Sequence, residues 1–567
     1  MRKDGVIAGL VFAVSALVLV FSFPAGAIEY DYGNGRLLYV TGYVEAMTGI
    51  GRNDEPSYNA ANGEYQTSGN PNAMNQELLT FYLETQLKWG RDLEFRTAWR
   101  IQGDEVDDFR DSDHWRSTYG KADNNINFDD ELDDMVREFN IGYFSEYFNC
   151  RIGKQQLVWG EVDGDRIMDQ INPVDQRRGY IFYDADAGYT DSRIPLWMAK
   201  TEFTTPMDFH GGGFSSLGLE LTYIPDVDVW NRFEIGPREG GTWAYPVPDG
   251  YYMASAVGPL GLRQLNVDYK DPSKSLDHAS FGARLKAEFL GSFITLNYFY
   301  GWSASGYLAP GPASATLTTG DIGFGGTTPL NGLEVWPGTT PGNVGDGAGL
   351  MLNVAMKTYR QKTVGFTFSR QLTFFRPFMK LMKQFDTPIM RVEALYQFDK
   401  RYNIFNSALV SMGLAPAFNL VIPGEKTVAT SDEIRWMVGL DWFALRIPWI
   451  NSKNKVTLST QFINYHIMDH EDNMYQAPYN WPLKEDYMAW SILLGSSYYK
   501  EKIRPQVLFL KDTTYNSYFV KPRVQIDVGD HWRAEVGAYL IQGENSERAL
   551  GLFDNRDTVY WKMKYQF

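Results

Sequence analysis

The closing stretch Asp557-Thr-Val-Tyr-Trp-Lys-Met-Lys-Tyr-Gln-Phe567 alternates over its full length. Val559, Trp561, Met563, Tyr565 and Phe567 form one apolar or aromatic phase, and Thr558, Tyr560, Lys562, Lys564 and Gln566 form the other. A period of two is the signature of an extended strand with one oily face. Chain ends of soluble proteins are usually polar and loosely held, so a last strand that finishes on an aromatic residue in its apolar phase needs an apolar solvent or a partner over it. A bilayer supplies such cover. The final strand of a soluble sheet can alternate too, so the rest of the chain has to decide.

The same grammar recurs upstream. Phe81, Leu83, Thr85, Leu87 and Trp89 oppose Tyr82, Glu84, Gln86 and Lys88; after Gly90-Arg91-Asp92, Leu93, Phe95, Thr97, Trp99 and Ile101 oppose Glu94, Arg96 and Arg100. Ala283, Leu285, Ala287 and Phe289 oppose Arg284, Lys286 and Glu288, and Met390, Val392, Ala394, Tyr396 and Phe398 oppose Arg391 and Glu393. Ile434 to Trp442 carries Arg435 on its second phase; Val520 to Val528 carries Lys521 and Arg523; Trp532 to Ala538 carries Arg533 and Glu535. A phase bearing this many charges cannot fill a dry core, so these strands are expected to enclose a wet lumen lined by these side chains, together with Lys562 and Lys564.

Counting such segments gives about 18 strands, with 16 as the alternative, in one antiparallel transmembrane β-barrel. The candidates start near residues 36, 79, 92, 135, 149, 196, 217, 279, 293, 358, 389, 433, 454, 486, 503, 518, 531 and 557. Short connections, including those at 90–92, 290–292, 499–502 and 529–531, alternate with long ones, including those at 49–77, 104–133, 225–278, 304–350 and 399–432. If the first strand leaves the periplasm, every short turn and Phe567 fall on the periplasmic side and the long loops are extracellular. Two stretches break the rhythm: Phe374 to Asp386 suits a short amphipathic helix or irregular turn, and Ala309 to Gly349, dense in Gly, Pro and Thr, reads as a flexible lid.

At the other end, Arg2 and Lys3 precede an apolar run from Val6 to Phe23 and then Pro24-Ala-Gly-Ala27, a secretory signal expected to be cleaved after Ala27. Residues 28–567 are then a single barrel domain. Among its 567 residues the chain has 35 Tyr, 35 Phe, 16 Trp and 53 Gly, types that aromatic girdles, strands and turns consume. Its formal charge of −16 argues against a nucleic-acid partner, and Cys150, the single cysteine, excludes an intrachain disulfide or a multi-cysteine metal site.

The most distinctive internal stretch runs from Arg151-Ile-Gly-Lys-Gln-Gln-Leu-Val-Trp-Gly-Glu161 into a segment dense in opposite charges. Lys154, Gln155, Trp159, Glu161, Asp163, Arg166, Asp169, Asn172, Asp175, Arg177 and Arg178 are the candidates for a constriction, with 161–195 as a loop folded into the lumen; the bland alternative is a salt-bridged brace for the wall. Asp163, Asp165 and Asp169 could hold a hard cation such as Ca²⁺, but their spacing misses the EF-hand loop. His466 and His470 lie ~13 Å apart on an extended strand, too far to share one metal unless the strand ends at Met468 and the loop from Asp469 to Asn473 curls back. No GxSxG element or comparable nucleophile cluster occurs, and neither a catalytic residue, a metal nor a cofactor is expected.

The GKQ-x-x-x-WGE run at 153–161, Asn172-Pro-Val-Asp175, Arg193-Ile-Pro-Leu-Trp-Met-Ala-Lys200, Leu219-Glu-Leu-Thr-Tyr-Ile-Pro225, Gly282-Ala-Arg284 and Arg391-Val-Glu393 resemble an uncharacterised family of proteobacterial outer-membrane β-barrel proteins. The closing Trp561, Met563, Tyr565 and Phe567 likewise resemble the assembly signal of such barrels. These resemblances imply residence in the outer membrane of a Gram-negative bacterium, contact with its lipid and with the barrel assembly machinery, and association with resistance-nodulation-division (RND) type exporters and a periplasmic lipid-carrier-like protein. The expected function is passage or handover of a hydrophobic or lipid-like solute. A diffusion porin for small polar solutes is the alternative, and an outer-membrane hydrolase or structural surface protein is a more distant one.

Overall fold

The computed structural model describes residues 27–51, 56–59, 64–67, 74–104, 132–160, 166–176, 192–206, 213–231, 262–273, 275–318, 326–335, 350–381, 387–406, 420–451, 455–475, 483–543, 549–554 and 556–567. The expected signal segment lies outside these residues. The main sheet has 20 strands, of which Ile28–Gly33 and Met474–Tyr475 are short additions; the other eighteen are antiparallel staves. They are β1 (Arg36–Gly51), β2 (Met74–Trp89), β3 (Leu93–Asp104), β4 (Val136–Phe144), β5 (Phe148–Gln155), β6 (Leu196–Pro206), β7 (Phe214–Ile224), β8 (Ser280–Phe289) and β9 (Ser292–Trp302). The second half comprises β10 (Arg360–Gln371), β11 (Ile389–Ile404), β12 (Val428–Leu445), β13 (Val456–Ile467), β14 (Asp486–Ser496), β15 (Ile503–Asp512), β16 (Ser517–Val528), β17 (Trp532–Gly543) and β18 (Thr558–Gln566). Each stave pairs with the next, and β18 returns to β1 with Tyr43 opposite Gln566 and Gly51 opposite Thr558. The sheet therefore closes and has no open edge, the condition for strands to cross a bilayer. Spaced ~4.8 Å apart and tilted about 40°, eighteen staves enclose a wall roughly 36 Å across between backbones.

Alternation sets which face is oily. Outward positions such as Ile152 (55% exposed), Leu296 (53%) and Val536 (56%) are bare of protein cover. Apolar side chains left this open in a closed sheet are stable only against lipid. The short turns use backbone conformations that tighten hairpins: Asn34 and Gly35 both have positive φ, as do Leu290 and Gly291, the two-residue arrangement whose twist matches that of the flanking strands.

At the seam, Gly42 and Phe567 exchange backbone hydrogen bonds at 3.0 Å each, and the Thr41 hydroxyl donates to the Phe567 carbonyl at 2.9 Å. The Phe567 ring lies over Gly42 so closely that an added Cβ would fall 2.8 Å from it and 2.4 Å from the Tyr82 carbonyl oxygen. Below this point the β1 edge is continued by Ile28–Gly33, which pairs with it from Val40 to Arg36.

Two expectations need correction. The stretch 309–349 is not simply a flexible lid: its described part forms Tyr307–Pro310, Ala313–Thr318, Pro329–Asn331 and Leu333–Val335, the first and last of which pair with Leu350–Lys357. Leu308, Leu317, Leu330, Leu333, Leu352, Val354 and Met356 bury one another there, with Val229, Trp230, Leu420 and Val421 from neighbouring loops. Three leucines spread through this Gly- and Pro-rich run, Leu317, Leu330 and Leu333, supply a core that composition alone hides. On the opposite rim, the stretch after β10 forms a short 3-10 turn, Thr373–Phe375, and a helix, Arg376–Leu381, as one of the two readings anticipated.

Candidate lumen constriction

The second correction concerns the interior. Inward positions are not uniformly polar: Leu196 and Met198 on β6, Ile224 on β7, Phe299 on β9, Leu395 on β11, Met437 on β12 and Ile463 on β13 are all buried apolar side chains. They are covered by the segment that follows β5. Leu157, Trp159, Ile167, Met168 and Ile171 of that segment pack with them into one cluster inside the barrel. The segment thus leaves β5 and reaches as far as β10 and β11: an added Cβ at Gly365 would meet the Met168 side chain, and the Met168 N–H points at Glu393 Oε2, 3.4 Å away. The apolar inward positions are there because a loop covers them, which alternation along a single strand cannot disclose.

Charge and hydrogen bonds fix the crossing. The Trp159 indole N–H donates to Glu220 Oε1 at 2.8 Å, and Glu220, on β7 and 1% exposed, also meets Lys286 at 2.7 Å and Lys200 at 3.3 Å. Lys286 holds Glu202 as well, at 2.8 Å. A carboxylate carried out of water is tolerable only with such partners. The Trp159 ring lies where a Cβ on Gly282 would be, 2.7 Å from it, so the glycine of β8 makes room for the indole. Asn172, fully buried, accepts from the Leu157 N–H and donates to the Ile194 carbonyl, each at 2.8 Å, tying the two arms of the segment together. Asp169 accepts from Arg193 Nε at 2.6 Å, and Arg166 donates to the Asn172 carbonyl. The Asp175 N–H donates to the Ser192 carbonyl, and Arg284 Nη1 reaches the Val158 carbonyl at 3.5 Å.

Not all candidates meet here. Glu161, Asp163, Asp165, Arg177 and Arg178 lie outside the described residues. Lys154 sits opposite Phe139 and Trp197, both exposed wall residues, and its ammonium is buried on Asp133 at 2.6 Å. It anchors the helix Leu132–Met135 to the wall and does not join the crossing segment. Gln155 is buried at the end of β5, donating to the Met198 carbonyl. Among the described residues, no group of three or more His, Cys, Asp or Glu side chains is arranged to hold a metal ion.

The remaining lining candidates fall into cross-strand ladders. Arg96 meets Glu84 at 2.9 Å and Glu138 at 3.9 Å, while Glu94 is half-buried on the same phase below it and Arg100 buried above it. Arg391 meets Asp441 at 2.5 Å, and Arg435 meets Glu433 at 2.5 Å, a carboxylate that Lys400 and the Tyr402 hydroxyl share at 2.7 Å. Across the lumen, Glu535 accepts from Tyr560 and Gln525 at 2.7 Å each and lies 3.5 Å from Arg523 and 4.0 Å from Lys562; Lys562 and Lys564 face Glu45 at 3.8 and 3.6 Å. Lys521 is buried with its ammonium over the Tyr539 ring, Arg533 pairs with Asp527 at 2.8 Å, and Glu288 is exposed near the lower rim. A second apolar cluster lies on this side, where Leu550 and Phe553, of the loop between β17 and β18, pack on Met47, Leu508, Phe519, Tyr539 and Tyr560.

Sequence reasoning left out Glu220, Lys200, Glu202, Glu433 and Arg193, whereas Asp441 stands on the same inward phase as Arg435, as its strand's alternation predicts. All but Arg193 stand on the inward phase of a stave, a signal available from alternation once β6, β7 and β12 are phased.

A closed eighteen-stave antiparallel barrel, apolar on its outer face and with a segment packed inside it, defines a fold of the outer-membrane channel class. The chain belongs to a family described as proteins of unknown function, DUF1302, whose model matches residues 9–567. No curated protein matches it by sequence. Among solved structures it is similar to the outer membrane channel DcaP of Acinetobacter baumannii, at 9% identity and TM-score 0.36 over 96% of this chain and 100% of that one. It is also similar to OccAB3 of Acinetobacter baumannii, at 7% identity and TM-score 0.40 over 94% and 99%. A third is OpdK of Pseudomonas aeruginosa, determined with vanillate, at 6% identity and TM-score 0.40 over 94% and 98%.

Proposed function

We propose that this chain is an outer-membrane channel whose passage is narrowed by the segment after β5, through its described residues 156–160 and 166–176, and that it conveys or hands over hydrophobic or lipid-like solutes together with an RND-type exporter and a periplasmic lipid carrier. The observation that carries the channel reading is the crossing segment itself, seated on Glu220 from one arc of the wall and on Gly365 and Glu393 of another. A loop so braced selects by width and wall charge and needs no covalent chemistry. Support for an apolar solute comes from the inward Phe299, Leu395, Met437 and Ile463, which give the lumen a greasy patch wherever the loop lifts. The exporter and carrier rest on the family resemblance of the motifs.

A diffusion porin for polar solutes is the second reading, and the paired charge ladders favour it. Conductance of the purified chain in planar bilayers separates the two. A channel closed at rest, which opens when the Trp159–Glu220 contact is weakened, supports the gated reading. A wide, steady conductance indifferent to that contact gives the porin.

A further inference from the structure

The outer surface carries a cation cluster that the channel reading does not use. We infer that Arg360, Lys362 and Arg401 form a site on the wall for the phosphate groups of an outer-leaflet glycolipid headgroup, an assignment that rests on the outer-membrane reading for its orientation.

Register places the three on one face. Lys362 stands between Tyr300 of β9 and Phe398 of β11, and Arg360 stands opposite Trp302. Inward residues of β10 are Gln361, Thr363 and Thr367, all buried, so Arg360 and Lys362 belong to the lipid-facing phase with the exposed Val364. Arg401 follows the irregularity between Gln397 and Lys400, pairs with the exposed Thr430 and is itself exposed. Lys362 lies nine residues above the lower end of its stave (371 − 362). At about 2.5 Å of height per tilted residue that is ~23 Å, the upper border of an apolar band ~25 Å tall. Lipid phosphates lie at that depth.

The cations are presented in a form suited to an anion. The Arg360 guanidinium stacks 4.1 Å over Trp302 and 5.1 Å over Tyr300 and donates to the Ala279 and Asp277 carbonyls, which holds its plane and uses two of its five N–H donors. Arg401 lies 5.2 Å over Tyr307 and donates to its hydroxyl at 3.0 Å. Lys362 is exposed and has no hydrogen-bond or ion-pair partner among the described residues. No carboxylate among the described residues pairs with it: Asp432 takes the Tyr396 hydroxyl and the Asp399 N–H. An unpaired ammonium at the border of the lipid, flanked by aromatic rings and two stacked guanidinium groups, matches a phosphate on an acyl-bearing headgroup.

The test uses the full chain in detergent micelles, with bisphosphorylated lipid A, the same lipid dephosphorylated, and inorganic phosphate as separate probes. Affinity is read by native mass spectrometry and the unfolding temperature by heat-modified gel mobility. The wild type is expected to bind bisphosphorylated lipid A most tightly, the triple variant R360Q/K362Q/R401Q about tenfold or more weakly. Arg370→Gln, the same charge change at the lower end of the same stave, should leave binding unchanged. Lys362→Gln alone breaks no internal bond, so it keeps the test decisive if the triple variant fails to fold; it should weaken binding by itself. Equal binding of wild type and variants, or of phosphorylated and dephosphorylated lipid, overturns the site. A shift reproduced by inorganic phosphate alone overturns the lipid assignment in favour of a free anion. Membrane fractionation is read separately: a chain absent from the outer membrane defeats the reading beneath the site, whereas a chain present there with patch-independent lipid binding defeats the site only.

Discussion

Replacing Trp159 by Phe probes the constriction most directly. The substitution keeps an aromatic ring against Gly282 and removes the indole N–H that donates to Glu220 at 2.8 Å. Glu220 keeps Lys286 at 2.7 Å and Lys200 at 3.3 Å, so the wall network survives and the loss falls on the loop. A hydrogen bond to a buried charged group contributes roughly 1.5–3 kcal/mol. Some of this returns when water reaches Glu220, leaving about 1–2 kcal/mol in the docking equilibrium, a factor of roughly 5–30 in the population of the lifted loop. Single-channel recording in planar bilayers reads that population as the fraction of time at higher conductance. W159F should raise it by that factor, E220Q should raise it less because the new amide oxygen still accepts from the indole without charge assistance, and the double variant should fall short of the sum because both act on one contact. Unchanged open fractions in W159F and E220Q, with assembled barrels shown by gel mobility, would refute the idea that this contact holds the passage shut.

Other regions give sharper stability outcomes. Gly42→Ala places a Cβ 2.4 Å from the Tyr82 carbonyl oxygen and 2.8 Å from the Phe567 ring, so the yield of heat-modifiable barrel should drop while synthesis does not; normal assembly would show that the ring is not needed at the seam. Glu535→Ala leaves Arg523, Lys562 and the Tyr560 hydroxyl facing one another. It should lower the unfolding temperature, with about 3–5 kcal/mol lost as for other broken buried pairs, and shift reversal potentials towards anion selectivity. Leu330→Asp puts a charge into the fully buried cap core, so limited proteolysis should cut the cap loops while the stave-protected core stays intact; loss of the whole barrel would show that cap and wall fold as one unit.

The wall was legible because alternation is local. Every stave begins within five residues of its expected start, the largest gaps being Met74 against 79 and Val428 against 433. Side chains such as Glu84, Arg96 and Arg435 share ladders because each strand's phase is written in its own sequence. The N-terminal hairpin was missed although Asn34-Gly35 announces it, since Ile28–Gly33 adds to a stave edge and crosses nothing. Among the expected residues, Trp159, Asp169 and Asn172 knit the crossing, while Lys154 anchors the helix Leu132–Met135. Which neighbour a loop residue finds depends on contacts such as Trp159 with Glu220, 61 positions away, and no periodicity carries that information.

The two kinds of inward residue explain each other. A lumen lined only by paired charges would gain nothing by drawing a loop inward, because a loop carries backbone polar groups that must leave water. Phe299, Leu395, Met437 and Ile463 supply the apolar surface that offsets this cost, and Asn172 and Glu393 receive the backbone groups the loop brings with it. Polarising that patch should therefore release the loop without touching Trp159 or Glu220. Met437→Gln and Leu395→Gln, both inward and buried, are expected to raise the open fraction of the channel even though neither residue belongs to a charge ladder. If they left it unchanged while W159F raised it, the loop would be held by its polar latch alone, and the greasy patch would be a filler of space with no part in gating.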